Sequence, residues 1–259
     1  LADKANKPDE PDKPDEPNKS DKSDKLNEKV IVALDLPGRK EALRMAETLA
    51  GSGCRVKVGL ELYAYEGPRL IGELKDLGFP VFLDLKLHDI PATVERTVRA
   101  LLNWEPEMLD VHCSGGYEMM ARAAEALHEA GAQRGYEPKL LGITVLTSMG
   151  EEALRRELGV GVTLAEHVLA LARLAKRAGL DGVVASAREA PLLRQALGPD
   201  FLLVTPGIRP PGSALNDQAR VLTPGEALAA GSSYLVIGRP ITRADNPRRA
   251  LARIWEEVD

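Results

Sequence analysis

The chain has 259 residues, an apolar fraction of 44% and a formal net charge of −5. That length suits one large domain with a full core, and no basic stripe interleaved with aromatics argues for nucleic acid. No apolar run approaches the roughly 20 residues of a membrane span, no signal-like pattern opens the chain, and the two cysteines, Cys54 and Cys113, suit a reduced cytoplasmic protein better than a disulfide pair.

Residues 1–28 are Lys, Asp, Glu, Pro, Ser and Asn with almost no apolar side chains. Such a segment buries too little surface to offset its ordering entropy, so a disordered low-complexity tail is expected there. From Lys29 to Asp259 short β-branched runs alternate with amphipathic stretches. Strands are predicted over Val30–Asp35, Arg55–Gly59, Val81–Lys86, Met108–His112, Leu140–Leu146, Gly182–Ala185, Phe201–Thr205 and Tyr234–Ile237. Helical patterns between them include Arg39–Ala50, Pro68–Leu77, Tyr117–Ala130, Leu164–Ala178 and Glu226–Ala230, and Pro91 opens another. Eight strands alternating with helices predict an α/β fold, a single-domain (β/α)8 TIM barrel over residues 29–259. An open doubly wound sheet is the alternative, but Asp35-Leu36-Pro37-Gly38 after the first strand is not the glycine fingerprint of that fold.

Strand parity then sorts the charged residues. In Val81–His88 the odd positions are Val81, Leu83, Leu85 and Leu87, and the even ones are Phe82, Asp84, Lys86 and His88. Alternate side chains face opposite sides of a strand, so the apolar set goes against the helices and Asp84 and Lys86 point inward. The same logic turns Lys57 and Asp35 inward, and gives Asp110 and His112 a common parity. Charges thus gather at the C-terminal mouth, where barrel enzymes place their chemistry. Buried charges are costly unless they pair or react. Asp84 and Lys86 read as a structural ion pair or as a functional one. Asp89 is open to a capping role before Pro91, a functional role, or both. A lysine flanked by carboxylates keeps its proton, which suits a proton donor or a stabiliser of developing negative charge and not a Schiff-base nucleophile.

Two glycine-bearing turns follow the last two strands. Thr205-Pro206-Gly207-Ile208-Arg209 and Ile237-Gly238-Arg239-Pro240 occupy the usual phosphate site of this fold, although ordinary turns with a surface arginine also fit. The stretch from Pro206 to about Thr223, with Asn216, Asp217, Gln218 and Arg220, is long for such a connection and reads as a lid. Thr147 and Ser148 either bond a polar ligand or cap a helix, and His88 and His112 read as structural or supporting residues. No zinc spacing, phosphate-binding P-loop or Ser-His-Asp arrangement is visible.

The run Asp84-Leu85-Lys86-Leu87-His88-Asp89-Ile90-Pro91-Ala92-Thr93 resembles the signature of the orotidine 5′-phosphate decarboxylase family. The likeness continues through Ala33-Leu34-Asp35, Val56-Lys57-Val58-Gly59, Val145-Leu146-Thr147-Ser148-Met149 and the two glycine-bearing turns, in order. It implies decarboxylation of orotidine 5′-monophosphate to UMP in pyrimidine synthesis, with no metal or organic cofactor, by a homodimer with composite sites. By likeness Lys86 would protonate C6, Asp84 would sit beside the substrate carboxylate, and Asp35 and Lys57 would bind ribose hydroxyls and align the array. Asp89 would cross into the partner's site, with Ile90 and Thr93 at the substrate and Thr93 touching the partner's ribose. Thr147 and Ser148 would face the pyrimidine, and Arg209, Gln218, Gly238 and Arg239 would hold the phosphate end. The rival readings are an Mg²⁺-dependent sugar-phosphate decarboxylase or aldolase of the same barrel superfamily, which the Asp-Ile-Pro continuation and the Gln-bearing lid disfavour, and a non-catalytic barrel that binds a phosphate ligand.

Overall fold

A computed structural model describes residues 27–210 and 222–256. The expected tail over residues 1–26 and the part of the expected lid that carries Asn216, Asp217, Gln218 and Arg220 lie outside the described residues. The eight strands form a closed parallel barrel in sequence order, with the last pairing the first. They are β1 (Val30–Ala33), β2 (Arg55–Gly59), β3 (Val81–Leu87), β4 (Met108–His112), β5 (Lys139–Ile143), β6 (Gly182–Val184), β7 (Leu202–Thr205) and β8 (Tyr234–Ile237). Closure removes both sheet edges and rules out the doubly wound alternative. Among the described residues no helix is long and apolar enough to cross a membrane.

Alternation along each strand divides the core in two. Ile31, Ala33, Phe82, Met108, Leu141, Val204 and Val236 fill the barrel interior, while Val32, Leu34, Val56, Val58, Leu83 and Val111 pack outward with the helices. Parallel strands buried on both faces explain why these runs are almost continuously apolar. In the register Ala33 pairs with Lys57 and Gly59 with Asp84, so the inward charges stand directly above the interior cluster.

Several boundaries differ from the sequence expectation. β1 ends at Ala33 and not Asp35, although the Leu34 amide still donates to Lys57 O at 3.0 Å. β5 ends at Ile143 and not Leu146. There Thr144 donates both its amide and its hydroxyl to Val184 O, at 3.2 and 2.8 Å. That double contact ends the ladder and leads Val145, Leu146 and Thr147 around the mouth. The capping readings also fail. The helix Pro91–Leu101 has Ile90 at its N-cap with no side-chain cap bond, and Asp89 instead accepts the neighbouring Ile90 amide at 2.6 Å. Gly150, not Thr147 or Ser148, caps Glu151–Leu158.

One clasp far from the mouth ties the bottom of β7 to β8. The Arg194 guanidinium donates to the carbonyls of Gly198, Pro199, Phe201 and Gly231 and to Ser233 Oγ, at 2.7–3.2 Å. Arg194→Ala strands several of these acceptors. It is expected to cost about 2–4 kcal/mol in urea unfolding, with kcat at low temperature unaffected.

Candidate active site

The C-terminal mouth opens into a cavity of about 400 Å³, in the range of small-molecule sites. Four charged side chains cross its floor in alternating sign. Lys57 Nζ, on β2, lies 3.1 Å from Asp35 Oδ1 and 3.1 Å from Asp84 Oδ2. The other oxygen of Asp84 pairs with Lys86 Nζ. The order is therefore Asp35, Lys57, Asp84, Lys86, and Ile143 and Val184 add apolar lining to the same cavity. Glycine at position 59 makes room for the array. A Cβ there would stand 3.0 Å from Lys57 Nζ and 3.4 Å from Asp35 Oδ1.

Burial and charge act against each other in this array. Burial disfavours the charged form of Lys57, but the Asp84 and Asp35 carboxylates outweigh it and raise its pKa. Burial likewise opposes ionisation of Asp84, yet Lys57, a hydrogen bond from Asp110 and then Lys86 hold its carboxyl far below the usual range. Asp84 is thus ionised at any pH at which the protein works. His112, half-buried and 5.4 Å centroid to centroid from His88, is shifted down by burial, then by His88 and Lys86. It favours the neutral ring.

Lys86 reaches its place by an irregular backbone. Its φ is +51°, the left-handed region that side-chain-bearing residues seldom enter. The pairing of β3 with β4 shifts register between Leu83 and Leu87, a bulge in an otherwise regular barrel. Opposite the bulge sits Asp110, fully buried, whose Oδ1 accepts the Lys86 amide at 2.7 Å.

The cavity lining also carries arginines from the turns after β7 and β8. Arg209 is buried and donates from Nη1 to Ile208 O at 2.9 Å, and Arg239 follows Gly238 in the short helix Arg239–Thr242 with Pro240 in its first turn. Both arginines line the cavity together with Gly207 and Gly238.

Of the residues singled out in the sequence, Asp35, Lys57, Asp84, Lys86, Thr147, Arg209, Gly238 and Arg239 line this one cavity. Asp89, Ile90, Thr93 and Ser148 do not. Ile90 is 66% exposed, and Asp89 beside it and Ser148 are exposed as well. Two lining or adjoining residues escaped the sequence reading. Arg243 lines the cavity one turn after Arg239, and i,i+4 spacing on a helix starting at Arg239 was the available signal. Asp110 carried the inward parity but not the motif.

Residues 28–254 match the model of the orotidine 5′-phosphate decarboxylase / HUMPS family. The chain belongs to this family. It is similar to the orotidine 5′-phosphate decarboxylase of Pseudoalteromonas translucida (strain TAC 125), with 52% identity over 233 residues that span 90% of this chain and 98% of the relative. The enzyme of that name from Nitrosococcus oceani is 51% identical over 230 residues, spanning 89% of this chain and 97% of the relative. Among solved structures, the orotidine 5′-phosphate decarboxylase from Lactobacillus acidophilus superposes with a TM-score of 0.79 at 40% identity, covering 89% of this chain and 98% of that one. Family membership accounts for the whole barrel, and the alternating array lies at its mouth.

Proposed function

We propose that this protein decarboxylates orotidine 5′-monophosphate to UMP and carbon dioxide in pyrimidine nucleotide synthesis, acting as a cytoplasmic homodimer. The observation that carries the reading is the Asp35–Lys57–Asp84–Lys86 array in a cavity that Arg209 and Arg239 also line. A nucleotide fits that lining, with its phosphate toward Arg209, Gly238 and Arg239 and its base toward Lys86 and Thr147.

The residue types match the chemistry. When the C6–carboxylate bond breaks, its electron pair stays on C6 in an orbital that the ring delocalises poorly. A fixed ammonium beside C6 stabilises that charge and then donates its proton to C6, giving UMP; Lys86 regains a proton from water. Asp84 anchors both lysines and sets a negative charge beside the departing carboxylate. Lys57 and Asp35 offer a donor and an acceptor for ribose hydroxyls. Phosphate contacts remote from C6 lend binding energy to the reacting centre, since one lysine cannot supply the roughly 8–23 kcal/mol by which enzymes lower barriers. The carboxylates a divalent cation would need are already engaged with ammonium groups, which speaks for this reaction over an Mg²⁺-dependent one.

The dimer reading rests on the surface beside β2, β3 and β4. Leu60, Ile90 and Tyr117 follow the C-terminal ends of these neighbouring strands and are 56%, 66% and 47% exposed. Large apolar side chains grouped at one rim suit a protein interface. Asp89 lies in that patch, pointing to service in the partner's site, with Ile90 and Thr93 accompanying it. Ser148 and Gln218 are assigned to the pyrimidine and phosphate ends on the family likeness.

The test is loss of orotidylate absorbance with purified protein in excess EDTA. Turnover unchanged by the chelator is expected. Turnover abolished by EDTA and restored by Mg²⁺ would favour the sugar-phosphate reading, and UMP binding without turnover a non-catalytic barrel.

A further inference from the structure

Asp110 is an acidic side chain beside the array that the proposed chemistry leaves without a task. It is fully buried on β4. Its Oδ1 accepts the Lys86 amide, while its Oδ2 is buried with no donor facing it. Asp110 holds the amide of Lys86, two residues beyond Asp84 on β3, and the Asp84 carboxylate acts directly on its carboxyl group. Two neighbouring ionised carboxylates repel, and a hydrogen bond between them requires that one carry a proton. Asp84 cannot be the one, because Lys57 and Lys86 both pair with it.

We propose that Asp110 is a positioning residue for the decarboxylation, a neutral carboxylic acid that aims both Lys86 and Asp84 from behind. As an acceptor it holds the Lys86 amide, and as a donor it gives a hydrogen bond to the Asp84 carboxylate. This rests on the function proposed above.

The backbone explains why such a residue is needed. β3 advances from Leu83 to Leu87 while β4 advances only from Leu109 to Val111, so the bulge has more amides than β4 has ladder carbonyls. Asp110 is the residue between Leu109 and Val111, and its side chain takes the amide that the ladder drops. The captured amide belongs to the residue with φ +51°, whose conformation persists only if its surroundings over-determine it. One carboxyl group therefore sets the backbone from which Lys86 projects and the carboxylate with which Lys86 pairs.

Burial acts in the same direction, toward a protonated Asp110. Burial, then the Asp84 charge, push its carboxyl well above the usual range, and Lys86 only partly opposes them. Asparagine reproduces the neutral acid, with an oxygen to accept and an N–H to donate. Alanine removes both.

The experiment compares Asp110→Ala and Asp110→Asn with the wild-type enzyme. Wild-type turnover comes first, since its absence would sink the proposed function and not this assignment. Given turnover, Asp110→Ala should lower kcat by about 10²-fold, as expected for an ångström-scale misplacement, while Asp110→Asn recovers to within about tenfold of wild type. UMP affinity should stay near wild type in both, a split that general loosening of the barrel would not give. Infrared spectra supply a second readout that survives a misfolded alanine variant. At neutral pH the wild type should show the carbonyl band of a buried carboxylic acid, absent from Asp110→Asn. An asparagine variant as impaired as alanine, an alanine variant with full kcat, or no acid band in the wild type would each overturn the assignment.

Discussion

Lys86→Ala should reduce kcat by about 10⁴-fold or more while leaving UMP affinity within a few-fold of wild type. The size follows from two tasks resting on one ammonium group, stabilising charge at C6 and then delivering a proton to it. UMP carries neither the leaving carboxylate nor charge at C6, so the product has little reason to sense the loss. Removing Lys86 also frees one oxygen of Asp84, but Lys57 still pairs with the other at 3.1 Å, so the carboxylate is not stranded. The fold should survive for the same reason. Single-turnover decarboxylation and UMP titration by calorimetry measure the two quantities separately. Retained turnover would remove Lys86 from its assigned role.

Mixing two inactive variants should create activity. Lys86→Ala and Asp89→Ala each damage both sites of their own dimer if Asp89 serves the partner. After subunit exchange half of the dimers are hybrids, and each hybrid holds one site with both residues intact, so roughly a quarter of wild-type activity should return. The geometry behind this is the short path from Lys86, on the cavity, to Asp89, which is exposed and accepts the next amide. Failure to recover activity when native mass spectrometry shows exchanged dimers would confine Asp89 to its own subunit.

Much of the barrel was legible because strand and helix differ in period. Lys57 between Val56 and Val58, and Asp84 between Leu83 and Leu85, have only one side to turn to once the apolar neighbours are spent on the helices. Lys86 was read onto the correct side by a pleat that is interrupted there. Alternation and the bulge both bring its side chain to the cavity, so the sequence pattern could not distinguish them. The end of β5 was missed because Thr144 looks like any strand residue until Val184 O is opposite it. Asp89 resembled a cap because Asp-x-Pro favours one, yet the turn puts Ile90 in that place. Asp110 carries the inward parity, but no local motif marks it. Its meaning comes from a residue 24 positions earlier, brought next to it by the barrel.

The left-handed backbone at Lys86 has a consequence for how this protein trades fold against chemistry. A residue with a side chain pays on the order of 1–2 kcal/mol to sit there, and glycine or asparagine would fit with less strain. Selection for stability alone would drive lysine out of position 86. Glu105 at φ +48° merely ends a 3-10 helix, whereas Lys86 holds φ +51° inside a strand with its ammonium in the array, which is the mark of a residue kept for chemistry and is carried by the main chain. Scanning related barrels for charged residues held in that conformation at strand ends would reveal sites of this kind even where the surrounding sequence has drifted beyond alignment.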